Sequence, residues 1–392
     1  MDYGRNSMKR VILRGPALTM SGYGVHTRQI ASWLLSLGNI DLTIQATPWG
    51  ITPWLLDSKD ELIGKIMNAC KVPSGKYDVS FQVQLPNEWD SNMAAYNVGI
   101  TAGVETDRCN PAWIQSCKQM DQIIVPSTHT KMSFERNGTI ENMSVIPEAF
   151  PNSILTDPDG LEISNVTTEF NFLLFGQITG NNPENDRKNI FHTIRMMCEV
   201  FKDNPNVGLI IKTNSGKSTK IDRKITKAVL KQVTNQVKTG IGPKIYLLHG
   251  HLNDDEVASL YRSKKVNALV SLTRGEGFGL PILEAAASGL PVIATNWSAY
   301  LDFMNLGRFI PIDFNLAPIH PSRCDNNIFM SDSMWATAIE EDFKQKVVKF
   351  YKKPSIPRGW ANELKDKVRK THSLDAISNL YSTKFQNILG LN

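Results

Sequence analysis

The sequence lacks most of the features that assign a chain quickly. No apolar run approaches 18 residues, so nothing in it reads as a membrane-spanning helix. The N-terminus, MDYGRNSMKRVILRG, has no signal-peptide apolar core and passes straight into a strand-like run, with Met8 as an alternative start. Cysteine is scarce and unpaired in pattern: Cys70, Cys109, Cys117, Cys198 and Cys324 are odd in number and show no CxxC spacing. That argues against a disulfide framework and a structural zinc site, and fits a reducing cytoplasm. The sequons at Asn137, Asn142, Asn165 and Asn296 then carry no weight. There is no tandem repeat, no low-complexity tract and no large net charge. Lysine and arginine total 43 against 38 aspartates and glutamates, and +5 neither demands nor excludes nucleic acid or a membrane surface.

What is present is globular: 392 residues, 41% hydrophobic, a length that suggests two domains each able to bury a core. Charge is unevenly shared. Residues 1–165 carry 13 basic and 17 acidic side chains, net −4; residues 166–392 carry 30 and 21, net +9. Short β-branched runs alternate with amphipathic stretches, which predicts α/β layering with parallel sheets. Strands are expected at 11–15, 41–47, 77–84, 96–103 and 122–127, with 144–150 closing the first series and a helix from about Val25 to Leu37. The Asp-, Pro-, Ser- and Asn-rich stretch 151–169 reads as a linker. The pattern restarts with strands at 170–176, 207–213, 244–250, 267–272 and 290–295. Helices are expected through Phe201, over 219–238, 254–264 and 281–288, and in basic stretches 338–353 and 361–389. The last of these is apolar at Leu374, Ile377, Leu380 and Tyr381. The expected division is 1–160, 170–350 and a C-terminal helical part, 355–392, packing back on the first domain.

The strongest signal is TRGEGFGLPILEAAASGLPVIATN (273–296). A strand ends near Thr273, glycines 275, 277 and 279 follow, Pro281 opens a helix and Gly289 ends it. Loop glycines let a ligand approach the backbone, and a helix N-terminus offers unpaired N–H groups to an anion. Two carboxylates beside a phosphate would repel it, so Glu276 and Glu284 are better suited to accept hydrogen bonds from hydroxyls. A ligand with both phosphates and polyols is a nucleotide sugar. Upstream, Arg187 and Lys188 sit near the expected helix start in NDRKNIFHT, where the helix dipole disfavours cations unless a diphosphate lies between them.

The Glu-x7-Glu spacing around GFGLPILEA resembles the donor-site signature of retaining family 4 glycosyltransferases, best over 170–305. That resemblance implies the GT-B fold: two facing Rossmann-like domains with a cleft between them, the first holding the acceptor and the second the donor. It implies that Glu276 lies against the donor sugar and that Glu284 binds the ribose. Backbone amides of Gly277, Phe278, Gly279 and Leu280 would contact the sugar and phosphates. Arg187 and Lys188 would hold the diphosphate, although this chain has Gln177 where many relatives have arginine. Gly22 and Gly24 in GPALTMSGYGVHT resemble the family's glycine-rich loop, which faces the donor phosphates. Many relatives have a histidine where this chain has Glu105, Thr106 and Asp107; a carboxylate there, taken as Glu105, could orient the acceptor or take its proton, and helix capping by Thr106 or Asp107 is the alternative.

The expected activity is hexosyl or pentosyl transfer from a nucleoside-diphosphate sugar to a saccharide or lipid-linked glycan, with retention and without a metal or other cofactor. Two alternatives stand beside it: a phage-type enzyme acting on hydroxymethylated bases in duplex DNA in a host cytoplasm, and a non-catalytic nucleotide-sugar or glycan-binding protein. Asp157-Pro158-Asp159 matches a metal-binding DxD pattern but lies in the linker. NSGKST (214–219) imitates a phosphate-binding loop without its first glycine, and His249 and His251 read as loop residues near the donor base. The basic surplus concentrates in 209–244, net +8, where Lys220, Lys224, Lys227 and Lys231 form one helical stripe. That stripe is either a solvated face or a surface for a polyanion, DNA or anionic lipid. No aromatics interleave to stack single-stranded bases.

Overall fold

The computed structural model describes residues 8–178, 182–213 and 218–391, which form two compact units. The first comprises the chain up to Gly103, Cys109–Ala149 and the segment from Leu374 onward. Its sheet contains β1 (Lys9–Gly15), β2 (Ile40–Ala46), β3 (Tyr77–Val83), β4 (Ala94–Ile100), β5 (Gln122–Val125) and β6 (Met143–Val145). All pairings are parallel, in the order β2-β1-β3-β4-β5-β6. The helix Gly22–Ser36 and the C-terminal helix Leu374–Leu389 pack together on this sheet, the Trp33 ring lying 5.4 Å from Phe81 and 5.1 Å from Tyr381. The C-terminal helix contributes Ile377, Tyr381, Phe385 and Leu389, one side chain every fourth residue, all buried. Leu380 falls off that stripe and is 46% exposed, contrary to the apolar face expected to include it. In the same unit, His26 and Glu148 are buried 3.7 Å apart. Burial drives both towards neutrality, the imidazole down to about 4 and the carboxyl up to about 8.

The second unit comprises Val104–Arg108 and Phe150–Ser373. Its six parallel strands are β7 (Phe170–Phe175), β8 (Val207–Thr213), β9 (Lys244–His249), β10 (Ala268–Ser271), β11 (Val292–Thr295) and β12 (Ile310–Ile312). The order β12-β11-β10-β7-β8-β9 is that of a doubly wound nucleotide-binding sheet: three strands wind one way from β7, three the other way from β10. All seven residues of β8 are buried, as a central parallel strand with both faces covered requires. Ligands of such sheets bind beyond the carboxyl ends of the two strands where winding reverses, here β7 and β10. An antiparallel hairpin, β13 (Phe314–Pro318) and β14 (Met334–Ala338), follows β12; its short, half-exposed strands gave no sequence signal.

Two expectations change, for the segment 151–169 and for the last helix. The segment 151–169 is not a free linker: Ile154 and Val166 are buried in the second unit, Leu161 N–H donates to Ser259 O (2.7 Å), and the units divide at Ala149–Phe150. Asp157 is an ion-pair partner of Arg369 and Arg262, which accounts for it without a metal. The expected helix 361–389 is two helices, Ser355–His372 in the second unit and Leu374–Leu389 in the first, broken at Ser373 where the backbone turns extended.

Candidate active site

The loop after β7 carries Arg187 and Lys188 just before a helix start, as expected, and outside the helix itself. Asn189 adopts a left-handed conformation (φ 56°), and the helix Ile190–Val200 begins beyond it. The buried Asp186 carboxylate accepts the N–H of Ile190 (2.7 Å), so an acid meets the helix dipole ahead of the first turn. The methylenes of Lys188 pass over Gly176 at the end of β7. Gln177, one residue on, is exposed.

The loop after β10 meets them there. Arg274 N–H donates to Arg187 O (2.8 Å), joining the two loops. Lys188 Nζ lies 2.7 and 2.8 Å from the two carboxylate oxygens of Glu276. Arg187 donates to Gly275 O (2.7 Å) and Glu276 Oε2 (3.1 Å), and its other terminal nitrogen is 2.9 Å from Glu105 Oε1. Burial alone would raise the Glu276 carboxyl, but Lys188 and Arg187 overcome it and hold the group at about 2. Burial lowers the Lys188 ammonium more than Glu276 raises it. Glu276 is therefore a fixed anion, and its charge and that of Glu105 balance the two half-buried cations Arg187 and Lys188.

Two features fix Glu276 that the sequence did not announce. Ser298 Oγ accepts the Glu276 N–H (2.8 Å) and donates to the Glu276 carbonyl (2.9 Å), clamping its backbone from both sides. To do so Ser298 is held at φ 101°, a region costly for any residue with a side chain. Gly275 is glycine because a methyl there would run into the backbone carbonyl of Glu105. That close approach puts Glu105, with the rest of Val104–Arg108, into the second unit. The two neighbouring candidates are accounted for differently. Asp107 is buried and exchanges two hydrogen bonds with Met334 of β14, and Thr106 Oγ1 donates to Arg108 O, so neither caps the following helix.

The helix Leu280–Ala287 begins where the sequence placed it, with Gly279 at φ 99° as its cap and proline in its first turn. It ends in a left-handed Gly289 with Leu290 N–H reaching back to Ala285 O. Gly277 and Leu280 are half-exposed. The Phe278 ring, in contrast, is buried against Phe303, leaving only its backbone for a ligand. Glu284 does not join the Glu276 cluster; it accepts a hydrogen bond from Tyr261 (3.1 Å). Desolvation and the neighbouring Asp254 push its carboxyl up, to about 8.

In the first unit β1 and β3 form that sheet's own reversal point, and the glycines expected in a loop after β1 lie instead in the first turn of the helix Gly22–Ser36, which Ser21 caps. Gly22 has open space where a side chain would go. Gly24 does not, because a methyl would meet the Thr19 carbonyl, and its N–H is the one capped by Ser21. His249 ends β9 beside Lys212 of β8, and His251 is exposed. Most of NSGKST lies outside the described residues. Lys220, Lys224, Lys227 and Lys231 stand exposed on the helix Lys220–Val237. Among the described residues no three histidines, cysteines or acids are grouped to hold a metal ion. Of the residues that sequence reading missed, Asp186 had a visible signal, an acid just before an apolar helix. Ser298 and Tyr261 had none.

Residues 187–307 match the family model for glycosyl transferases group 1. Among curated proteins, none matches the sequence. A glycosyltransferase from Rickettsia africae aligns over 98% of this chain and 99% of its own with a TM-score of 0.63 and 13% identity. Sucrose-phosphate synthase from Thermosynechococcus elongatus aligns over 98% of this chain and all of its own, with a TM-score of 0.60 at 13% identity. Anabaena HepE in complex with UDP and glucose covers 97% of this chain and 100% of its own, with a TM-score of 0.57 and 12% identity. The fold is GT-B, as the resemblance implied.

Proposed function

We propose that this protein is a retaining glycosyltransferase that moves a sugar from a nucleoside-diphosphate donor to an acceptor hydroxyl without a metal. One observation carries the reading: Glu276, Arg187 and Lys188 converge beyond the carboxyl ends of β7 and β10, where a sheet of this order binds nucleotides. The group 1 match over these same loops supports it.

In the free protein Glu276 pairs with Lys188 and Arg187, and Glu105 supplies the second negative charge. A bound diphosphate takes over those cations, and Glu276, ionised at any ordinary pH, turns to accept hydrogen bonds from the sugar. As the bond from the anomeric carbon to the phosphate oxygen breaks, negative charge builds on the departing diphosphate. Arg187, Lys188 and the N-terminus of Leu280–Ala287 stabilise it. The acceptor oxygen bonds to the anomeric carbon on the face the diphosphate leaves, and its proton passes to the leaving phosphate oxygen. Glu105 is a positioning residue for the Arg187 guanidinium, and Glu284 holds the ribose. The acceptor is a saccharide or lipid-linked glycan.

The test is a panel of UDP-, GDP-, ADP- and dTDP-sugars assayed for diphosphate release, with product anomers read by NMR. One donor should be consumed with retention and without response to EDTA. Tight donor binding with no turnover would refute the enzyme reading. Activity lost to EDTA and restored by Mg²⁺ would refute metal independence.

A further inference from the structure

We propose that the exposed face of the helix Lys220–Val237 docks on an anionic membrane surface. The helix is held to its own unit by a narrow stripe, Thr226 and Leu230 buried with Val233 and Val237 half-buried. The rest of its circumference faces solvent. Lys220, Arg223, Lys224, Lys227 and Lys231 are all exposed there, and among the described residues none of them forms an ion pair. The helix has one acid, Asp222, which is spent on the Thr219 cap at its N-terminus. A surface of five cations with no internal counter-charge calls for an anionic partner.

The kind of anion follows from what lies beside the lysines. Ile221 is 69% exposed and Ile225 56%, one turn apart, roughly 100° round the helix from the lysine stripe. Phosphates of a nucleic-acid duplex would use the lysines and leave the isoleucines in water. A lipid interface uses both: lysines reach the charged headgroups while isoleucines enter the acyl boundary. The combination favours lipid. It involves only the second unit and does not depend on the transferase reading, because binding is read without any donor.

The experiment is vesicle co-sedimentation of the full chain with phosphatidylcholine alone and with phosphatidylcholine containing phosphatidylglycerol, at low and high salt. The wild type should bind the anionic vesicles at least tenfold more tightly, and salt should weaken that binding. Replacing Lys224, Lys227 and Lys231 by glutamine should reduce it by roughly a hundredfold, and replacement by arginine should preserve it. Replacing Ile221 and Ile225 by asparagine should reduce it severalfold with every charge kept. These positions are exposed, so melting temperatures should stay near wild type. No preference for anionic vesicles overturns the proposal. So does an isoleucine variant that binds vesicles like wild type while the lysine variant loses affinity for duplex DNA, which would make the face a nucleic-acid surface.

Discussion

Lys188 Nζ sits 2.7 and 2.8 Å from the two oxygens of Glu276, so a half-buried ammonium and a buried carboxylate from different loops each satisfy the other. This pair closes the β7 and β10 loops over the reversal point of the sheet. It also means that the residues assigned to the diphosphate are not idle before a donor arrives. A donor must exchange its phosphates for the Glu276 carboxylate, and that exchange frees Glu276 to face the sugar.

Ser298 tests how far the position of Glu276 matters. Ser298→Ala removes two hydrogen bonds to the Glu276 backbone, leaves a buried N–H unsatisfied and keeps the unfavourable φ. It should cost about 1–3 kcal/mol of stability, read by denaturant unfolding, and lower kcat more than it raises KM. Ser298→Gly loses the same hydrogen bonds but tolerates φ 101°, so it should be the more stable of the two.

The glycines in the first turn of the helix Gly22–Ser36 should separate fold from ligand. Gly22→Ala has room for its methyl and should leave the melting temperature unchanged while weakening donor binding, measured by calorimetry. Gly24→Ala meets the Thr19 carbonyl and should lower the melting temperature whether or not donor is present. Equal donor affinity in Gly22→Ala and wild type would contradict the role that the family resemblance gives these glycines.

How much of this was legible beforehand differs by level. The long strands and the Gly279–Gly289 helix followed from period and punctuation, because long buried strands and glycine-capped helices write themselves into local sequence; the three-residue β12 was missed, and β6 ends at Val145 where a strand to residue 150 was expected. The break at Ser373 was missed although a serine followed by Leu374 and Asp375 is a helix-start signal; the apolar period running on through it masked that signal. Glu276, Arg187 and Lys188 were legible as charge types beside a glycine loop. Their mutual neutralisation was not, because it depends on β10 lying next to β7, a pairing across about 100 residues. Ser298 and the Gly275–Glu105 contact are likewise products of tertiary approach alone.

Acid and alkali should destabilise the protein through different residues. His26 titrates near 4 when folded against about 6.5 unfolded, so the unfolded chain gains a proton first and stability falls as pH drops from 6.5 towards 4. Glu284 titrates near 8 when folded against about 4.3 unfolded, so the native state keeps a proton the unfolded chain has lost, and stability falls as pH rises across that window. Glu284→Gln should therefore raise the melting temperature at pH 8 more than at pH 5. A shift of equal size at both would contradict the assignment.

The central claim is that Glu276 and the diphosphate compete for Lys188 and Arg187. The direct measurement is nucleoside-diphosphate affinity and donor turnover in Glu276→Gln and Lys188→Gln, using the donor the panel identifies. Glu276→Gln should lower kcat by ~10²–10³ while the diphosphate binds as tightly as to wild type or more so, because the cations are freed. Lys188→Gln should lose both turnover and diphosphate affinity. A Glu276→Gln protein with near-wild-type turnover, or one that loses diphosphate binding as Lys188→Gln does, would contradict the account.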